Sequence, residues 1–190
     1  MKKPNGTRVL AIVGSPRRGG NTEILVDEIL KGAQEAGAQV EKIMLGDLTI
    51  APCQACYACR EGGKCIQADD MEDLLGKMKA SEVWVLGTPV YWWGPSAQLK
   101  AFVDRWFSKA FEPERKPTFE GKRVILAVPM GDSDPATGRH VVGMFADALK
   151  FVKADLFASI LAPGAYDAGD VRKDSGLLEK ARQVGLDAAK

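Results

Sequence analysis

All four cysteines of the chain stand in one window, Cys53-Gln-Ala-Cys56-Tyr-Ala-Cys59-Arg-Glu-Gly-Gly-Lys-Cys65, a C-x2-C-x2-C-x5-C spacing. Three thiols at i, i+3 and i+6, with a fourth beyond the Gly62-Gly63 bend, can converge on one centre. Soft thiolates select zinc or iron-sulfur clusters over hard cations. Three other uses of the same residues compete with a cluster. Disulfides belong to oxidising compartments, whereas the chain opens Met1-Lys2-Lys3-Pro4-Asn5-Gly6 and its first apolar run, Val9 to Val13, is shorter than a signal peptide's core. A structural zinc site usually divides its thiols into two knuckles across a longer loop, but three crowd together between Cys53 and Cys59. Incidental cysteines pack as small buried hydrophobes, which suits a polar, Gly-containing loop poorly.

Two further stretches carry residues able to hold a ligand. Gly14-Ser15-Pro16-Arg17-Arg18-Gly19-Gly20-Asn21-Thr22 follows an apolar run and opens a helical pattern. Such a loop aims backbone N–H groups and a helix dipole at one spot, which suits a phosphate. It lacks both the Gly-Lys-Ser/Thr of a P-loop and the Gly-x-Gly-x-x-Gly of a dinucleotide site. Ser15, Asn21 and Thr22 are neutral donors and Arg17 a charged one, a set that fits the phosphate monoester of a single nucleotide. The competing use is helix capping by Asn21 or Thr22. Thr88-Pro89-Val90-Tyr91-Trp92-Trp93-Gly94-Pro95-Ser96 places three consecutive aromatics between prolines, fit to stack a flat ligand or to pack against a partner subunit. Pro129-Met130-Gly131-Asp132-Ser133 can bring backbone groups to a ring edge. The only histidine, His140, falls near a helix start and reads as structural.

The elements that must position these loops alternate in type. Branched, apolar runs at Thr7 to Val13, Gln39 to Leu45, Glu82 to Gly87, Arg123 to Val128 and Leu156 to Ala162 read as five strands. Between and after them, helical spacing relates Leu25, Ile29, Ala33 and Ala36; Met71, Leu74, Leu75 and Met78; Leu99, Phe102, Val103 and Trp106; Val141, Phe145, Ala148, Leu149 and Val152; and Leu177, Leu178, Ala181 and Val184. Asp69 with Glu72 forms the pattern of a capping box. Residues 46–68, 88–95 and 112–121 read as loops on one α/β domain spanning 1–190, with the cysteine-rich stretch at 46–68 an insertion. In a parallel sheet of this kind ligands sit beyond the carboxyl ends of the strands.

Composition narrows the partners. With 26 Lys plus Arg against 25 Asp plus Glu, a net charge of +1, the 190-residue chain has no electrostatic reason to bind nucleic acid or an anionic membrane. No apolar stretch reaches the length of a membrane span. A reducing cytoplasm is the expected location, where clustered thiols read as metal-binding or redox-active.

Gly14-Ser15-Pro16-Arg17 through Asn21-Thr22, then Thr88-Pro89-Val90-Tyr91 with Lys100 and Asp104-Arg105, resemble the signature of the flavodoxin-like NAD(P)H-dependent FMN reductase family over roughly residues 7 to 131. The cysteine insertion followed by Asp69-Asp70-Met71 resembles the iron-sulfur flavoproteins of that superfamily. The bacterial ferredoxin run differs, because there the fourth cysteine serves a second cluster and precedes proline. Here Ile66 follows Cys65 and no second set exists, so any cluster is single.

The resemblance implies a flavodoxin-like three-layer sandwich with a five-stranded parallel sheet in order 2-1-3-4-5 and helices on both faces. It implies that Cys53, Cys56, Cys59 and Cys65 bind one 4Fe-4S cluster and that Ser15, Arg17, Asn21 and Thr22 hold the FMN phosphate. Pro89, Val90, Tyr91, Trp92, Trp93 and Gly94, with Met130 and Gly131, would flank the isoalloxazine. No catalytic side chain is expected, since the flavin carries the chemistry. The implied activity passes electrons from NAD(P)H or ferredoxin to a small-molecule or protein acceptor through FMN and the cluster. The alternatives are a cluster-free NAD(P)H-dependent FMN or quinone reductase, and a flavin-binding or zinc-stabilised interaction protein without turnover. A homodimer or homotetramer is expected, with Tyr91, Trp92, Trp93 and Trp106 as candidate interface residues.

Overall fold

In a computed structural model describing residues 6–60, 64–110 and 115–190, the five apolar runs form strands β1 (Arg8–Val13), β2 (Gln39–Met44), β3 (Val83–Gly87), β4 (Arg123–Pro129) and β5 (Asp155–Ala162). All pair in parallel in the order β2-β1-β3-β4-β5. The central strands are buried along both faces, which is why they read as unbroken apolar runs. Met1–Asn5, the Gly62-Gly63 bend and the 112–114 part of the expected 112–121 loop lie outside the described residues.

Side chains alternate across the sheet and divide the core in two. Val9, Ala11, Val13, Val83, Val85, Ile125 and Ala127 face helices α1 (Asn21–Glu35) and, C-terminally, Ser175–Ala189. Leu10, Ile12, Trp84, Leu86, Val124, Leu126 and Val128 face helices α2 (Met71–Ala80), α3 (Ala97–Asp104) and a later helix, Arg139–Val152. Between α3 and β4 lie two four-residue helices, α4 (Phe107–Ala110) and α5 (Arg115–Thr118), so the Arg139–Val152 helix is α6 and the Ser175–Ala189 helix α7. These two short helices depart from the sequence reading: the expected helix through Trp106 breaks after Asp104, and part of the expected 112–121 loop is helical. The break turns Trp106 inward, where it is 4% exposed and packs against Trp84, Phe102 and Phe119 with ring centroids 5.5 to 6.1 Å apart. Trp106 is therefore a core residue, and the expectation that it forms a subunit interface is corrected. His140 stands exposed in the first turn of α6. Among the described residues no helix is long and apolar enough to cross a membrane.

Helices α1 and α7 cross with backbones in contact. A Cβ on Gly32 would lie 1.8 Å from the Arg182 carbonyl oxygen, and one on Gly185 would lie 1.9 Å from that of Ile29. This crossing fixes α1, whose N-terminus carries the Ser15–Thr22 loop. Gly185→Ala is expected to lower unfolding stability by about 1–3 kcal/mol through overpacking. Urea denaturation with an unchanged slope would show it, and a midpoint equal to the parent's would refute the tight crossing.

Candidate functional site

The loops after β1, β3 and β4 are tied to one another before any ligand is considered. Gly14 N–H donates to the Gly87 carbonyl at 2.7 Å, and the Ser96 hydroxyl to the Gly14 carbonyl at 2.7 Å. Ser96 N–H donates to Thr88 Oγ1 at 2.9 Å, while Thr88 and Val90 N–H groups donate to the Ala127 and Pro129 carbonyls. These bonds hold a cleft of about 510 Å³ at the carboxyl edge of the sheet, a size usual for cofactor sites.

Of the sequence-predicted cofactor residues, Ser15, Arg17, Asn21, Thr22, Pro89, Val90, Tyr91, Trp92, Trp93, Met130 and Gly131 line this cleft; Gly94 does not. Gly94 instead closes a two-residue turn, exchanging both backbone hydrogen bonds with Tyr91 at 2.9 and 3.0 Å. The turn forces Trp92 and Trp93 to φ of +49° and +59°, a left-handed conformation costing about 1–2 kcal/mol per residue. Trp92 is 93% exposed at the turn's tip.

At the other end of the cleft, α1 starts after Gly20 with no side-chain cap. Asn21 and Thr22 do not cap it. The Asn21 amide is committed elsewhere: Nδ2 donates to the Ala165 and Asp167 carbonyls at 3.1 and 2.7 Å, and Oδ1 accepts from Gly169 N–H at 2.9 Å. Asn21 thus straps the loop after β5 to the phosphate-loop helix instead of offering free donors. Ser15 is buried, its hydroxyl accepting from Arg17 N–H, and Thr22 is buried as well. An uncapped helix N-terminus beside Arg17 is a ready anion site. Stacking aromatics at the opposite end complete a cleft whose residues fit FMN.

Met130 contributes differently from the expectation. Its side chain is buried, its N–H donates to the Ala162 carbonyl and its own carbonyl accepts from Ala165 N–H, so it places Gly131 rather than presenting a free edge. A Cβ on Gly131 would come within 2.8 Å of the Tyr166 ring. Tyr166, with Asp132, Thr137 and Ala165, also lines the cleft and was missed by the sequence reading. Tyr166 lies just past the carboxyl end of β5, so the rule that drew attention to strands one, three and four extends to it. Asp132 is held below the ordinary carboxylate range by the Asp134 N–H and then the Thr137 hydroxyl, which keeps it ionised at the cleft mouth.

The cysteine loop hangs from a clamped base. Thr49 and Asp70 exchange hydrogen bonds, Thr49 N–H to Asp70 Oδ2 at 2.6 Å and Asp70 N–H to the Thr49 carbonyl at 3.1 Å. Gln67 Nε2 donates to the Pro52 carbonyl at 3.2 Å. Inside lies Arg105, 2% exposed, donating from Nη1 and Nη2 to both oxygens of Asp69 at 2.6 and 3.0 Å, and from Nη1 to the Ala51 carbonyl at 2.8 Å. Asp69 also accepts from Ala51 and Met71 N–H groups. Burial pushes the Asp69 carboxyl up, but Arg105 and these amides outweigh it and hold it below the usual range. The capping box expected of Asp69 and Glu72 is not formed, since Asp69 turns to Arg105 and Glu72 pairs with Lys109.

Beyond this base the thiols are free and accessible. Cys53 and Cys56 are exposed, Cys59 and Cys65 partly so. None is a buried hydrophobe, which removes the incidental-packing reading. Ala55, between the first two cysteines, and Tyr57, between the next two, have φ of +52° and +58°, so the chain bends within each spacer. Tyr57 packs edge-on against Phe107 at 5.9 Å and is covered by Arg60. Burial raises the Cys59 thiol, and the charges of Cys65, Cys53 and Cys56 raise it further, so all four sulfurs lie within electrostatic reach of one another. They are not at ligand spacing: among the described residues no three His, Cys, Asp or Glu side chains are close enough to hold a metal ion. Mutual repulsion of thiolates opposes that approach.

The sequence profile described as NADPH-dependent FMN reductase matches residues 7–153. An iron-sulfur flavoprotein of Methanocaldococcus jannaschii is 47% identical over 98 residues, covering 52% of this chain and 51% of that protein. An iron-sulfur flavoprotein of Archaeoglobus fulgidus is 34% identical over 120 residues, 63% of this chain and 54% of that protein. The chain thus spans about half the length of these curated relatives. Among solved structures, the NAD(P)H:quinone oxidoreductase of Methanothermobacter marburgensis superposes with a TM-score of 0.78 over 97% of both chains at 17% identity, a likeness of fold.

Because its folded pKa is depressed, Asp69 contributes stability that is fully present above the unfolded carboxylate value of about 4 and is lost as pH falls through the lower folded value. Asp69→Asn leaves Arg105 buried without its counter-charge. It is expected to cost about 3–5 kcal/mol at neutral pH and to flatten the acid limb of the stability curve. Parent and variant curves that run parallel below pH 4 would refute this assignment.

Proposed function

The chain belongs to the NADPH-dependent FMN reductase family, and on that premise we propose that it is an FMN-dependent oxidoreductase of the iron-sulfur flavoprotein kind. Electrons from NAD(P)H or ferredoxin would pass to a small-molecule or protein acceptor through FMN and one 4Fe-4S cluster. The observation that carries the reading is the pairing of a preformed cleft fitted to FMN with an accessible four-thiol loop whose base is clamped by a buried ion pair. The cluster residues fit on the chemistry of the donor set: four soft, accessible ligands on one loop, beside a buried Arg105 Nε–H without a hydrogen-bond partner among the described residues.

FMN, when bound, accepts two electrons as hydride and releases them singly, while a cluster passes one at a time. The protein's own part is positional. Arg17 and the uncapped start of α1 would neutralise and orient the phosphate, with Ser15 and Thr22 forming the buried floor of that loop. Tyr91 and the Trp92-Trp93 turn would lie against the ring and exclude water from it, and Tyr166 would border the Gly131 side. Cys53, Cys56, Cys59 and Cys65 would hold the cluster after the loop tip draws the sulfurs together. A cluster-free NAD(P)H-dependent flavin or quinone reductase is the second reading, favoured by the separated sulfurs.

Protein purified anaerobically is expected to contain about one FMN and four irons per chain, with an absorption spectrum showing both. Replacing all four cysteines with serine should abolish iron binding, leave FMN bound and slow transfer to one-electron acceptors. Full flavin content without iron, and NAD(P)H oxidation unchanged in the serine variant, would establish the second reading.

The exposed Tyr91-Trp92-Trp93 turn supports a homodimer or homotetramer that covers it. Light scattering at micromolar concentration is expected to give a multiple of the chain mass, reduced by Trp92→Ser. A monomer in the parent protein would refute this.

A further inference from the structure

The buried Arg105 is only partly explained by the clamp it makes. A guanidinium carries five N–H groups in a fixed fork. Two on Nη1 go to Ala51 and Asp69, and one on Nη2 goes to Asp69. Asp69 occupies the terminal edge of the fork and leaves the Nε edge. That Nε–H is buried with no hydrogen-bond partner among the described residues. An orphaned donor of this kind is costly to bury, and a fully apolar or Lys-based clamp would avoid it.

The group beside this donor is a thiol. Arg105 and Cys65 line the same cleft of about 560 Å³, together with Asp69 and Met71. Asp69 first, and Cys65 after it, favour the charged guanidinium. Cys65 is the fourth cysteine of the set, separated from the other three by the longest spacer. It lies four residues from Asp69, so the same clamp that closes the loop fixes the backbone near Cys65.

We propose that Arg105 is a positioning residue for the cluster, donating its remaining Nε–H to the Cys65 sulfur when that sulfur ligates iron, and thereby raising the cluster's reduction potential. The inference rests on the iron-sulfur reading above. Hydrogen bonds to ligand sulfurs stabilise the more negatively charged, reduced state and so shift the potential upward. Arg105 performs this without touching the flavin site, because it is not among the residues lining the FMN-fitted cleft.

The test uses full-length protein loaded anaerobically with iron and sulfide. Cluster and flavin potentials are followed by electron paramagnetic resonance and absorption. Two variants are compared with the parent: Arg105→Lys, which keeps a charge but loses the fork, and the double variant Arg105→Gln with Asp69→Asn, which leaves no unpaired buried charge. Both are expected to keep one FMN per chain with its potential unchanged. The cluster potential should become more negative in the double variant and shift less in Arg105→Lys; selective iron loss with full FMN would support the same role. An unaltered cluster potential with full iron overturns the inference and leaves the iron-sulfur reading standing. Joint loss of iron and FMN in both variants reduces Arg105 to a scaffold residue and overturns it too. Parent protein that takes up no iron removes the underlying reading and the inference with it.

Discussion

The Arg105–Asp69 ion pair sets where the cysteine loop can be. It joins the end of α3 to both ends of the insertion, because Arg105 reaches Ala51 on the incoming strand of the loop and Asp69 on the outgoing one. Closing a loop of this length costs only a few kcal/mol in chain entropy, growing slowly with length. A buried, bidentate pair with two further amides on the carboxylate can hold the closure. A buried pair is not in itself efficient stabilisation, since an apolar substitute is often as good. Its use is directional: an apolar contact would hold the loop near α3 without fixing the orientation of Ala51, Asp69 and the Cys65 backbone together.

The FMN-fitted cleft is built by the opposite means, many neutral backbone hydrogen bonds among small residues. Gly14, Thr88 and Ser96 let the loops after β1 and β3 meet directly, and the Met130 backbone joins β4 to the loop after β5. Asn21 then closes the ring by strapping that last loop to α1. Each wall is held by another wall, so the cavity persists without a ligand. Preformed sites of this sort bind with little reorganisation. The cost is local strain, visible in the left-handed Trp92 and Trp93, and strained residues held by their surroundings recur at ligand sites.

Periodicity made the architecture legible. The five strands, the five long helices and the carboxyl-edge location of the site all follow from alternating apolar runs and i, i+3, i+4 stripes. Most of the cleft could be read because its residues sit in the loops directly after strands. What could not be read depends on long-range pairing. Asp69 carries a local capping pattern that competes with a partner thirty-six residues away, and the partner wins because burial makes a full charge match worth more than one cap. Asn21 looked like a phosphate donor by position, yet its amide serves a loop more than 140 residues later. Trp106 fell on the expected helical stripe, but the break after Asp104 turned it into the core.

The two candidate centres therefore differ in how much of each is already in place. The cleft is braced on every side, whereas the cysteine loop is braced at its base and free toward its tip, where Cys53 and Cys56 are exposed. Four thiolates brought together repel one another, as the raised Cys59 thiol shows, so bonds to a cationic centre must supply the force that gathers them. A base held by hydrogen bonds and an ion pair limits the chain that must be ordered in that step to the stretch between Pro52 and Gln67. It also leaves the ligand nearest the clamp, Cys65, as the one whose surroundings the protein controls best. Placing the single buried guanidinium against that thiol, and not against the mobile-tip thiols, puts the fixed charge where a fixed geometry can use it.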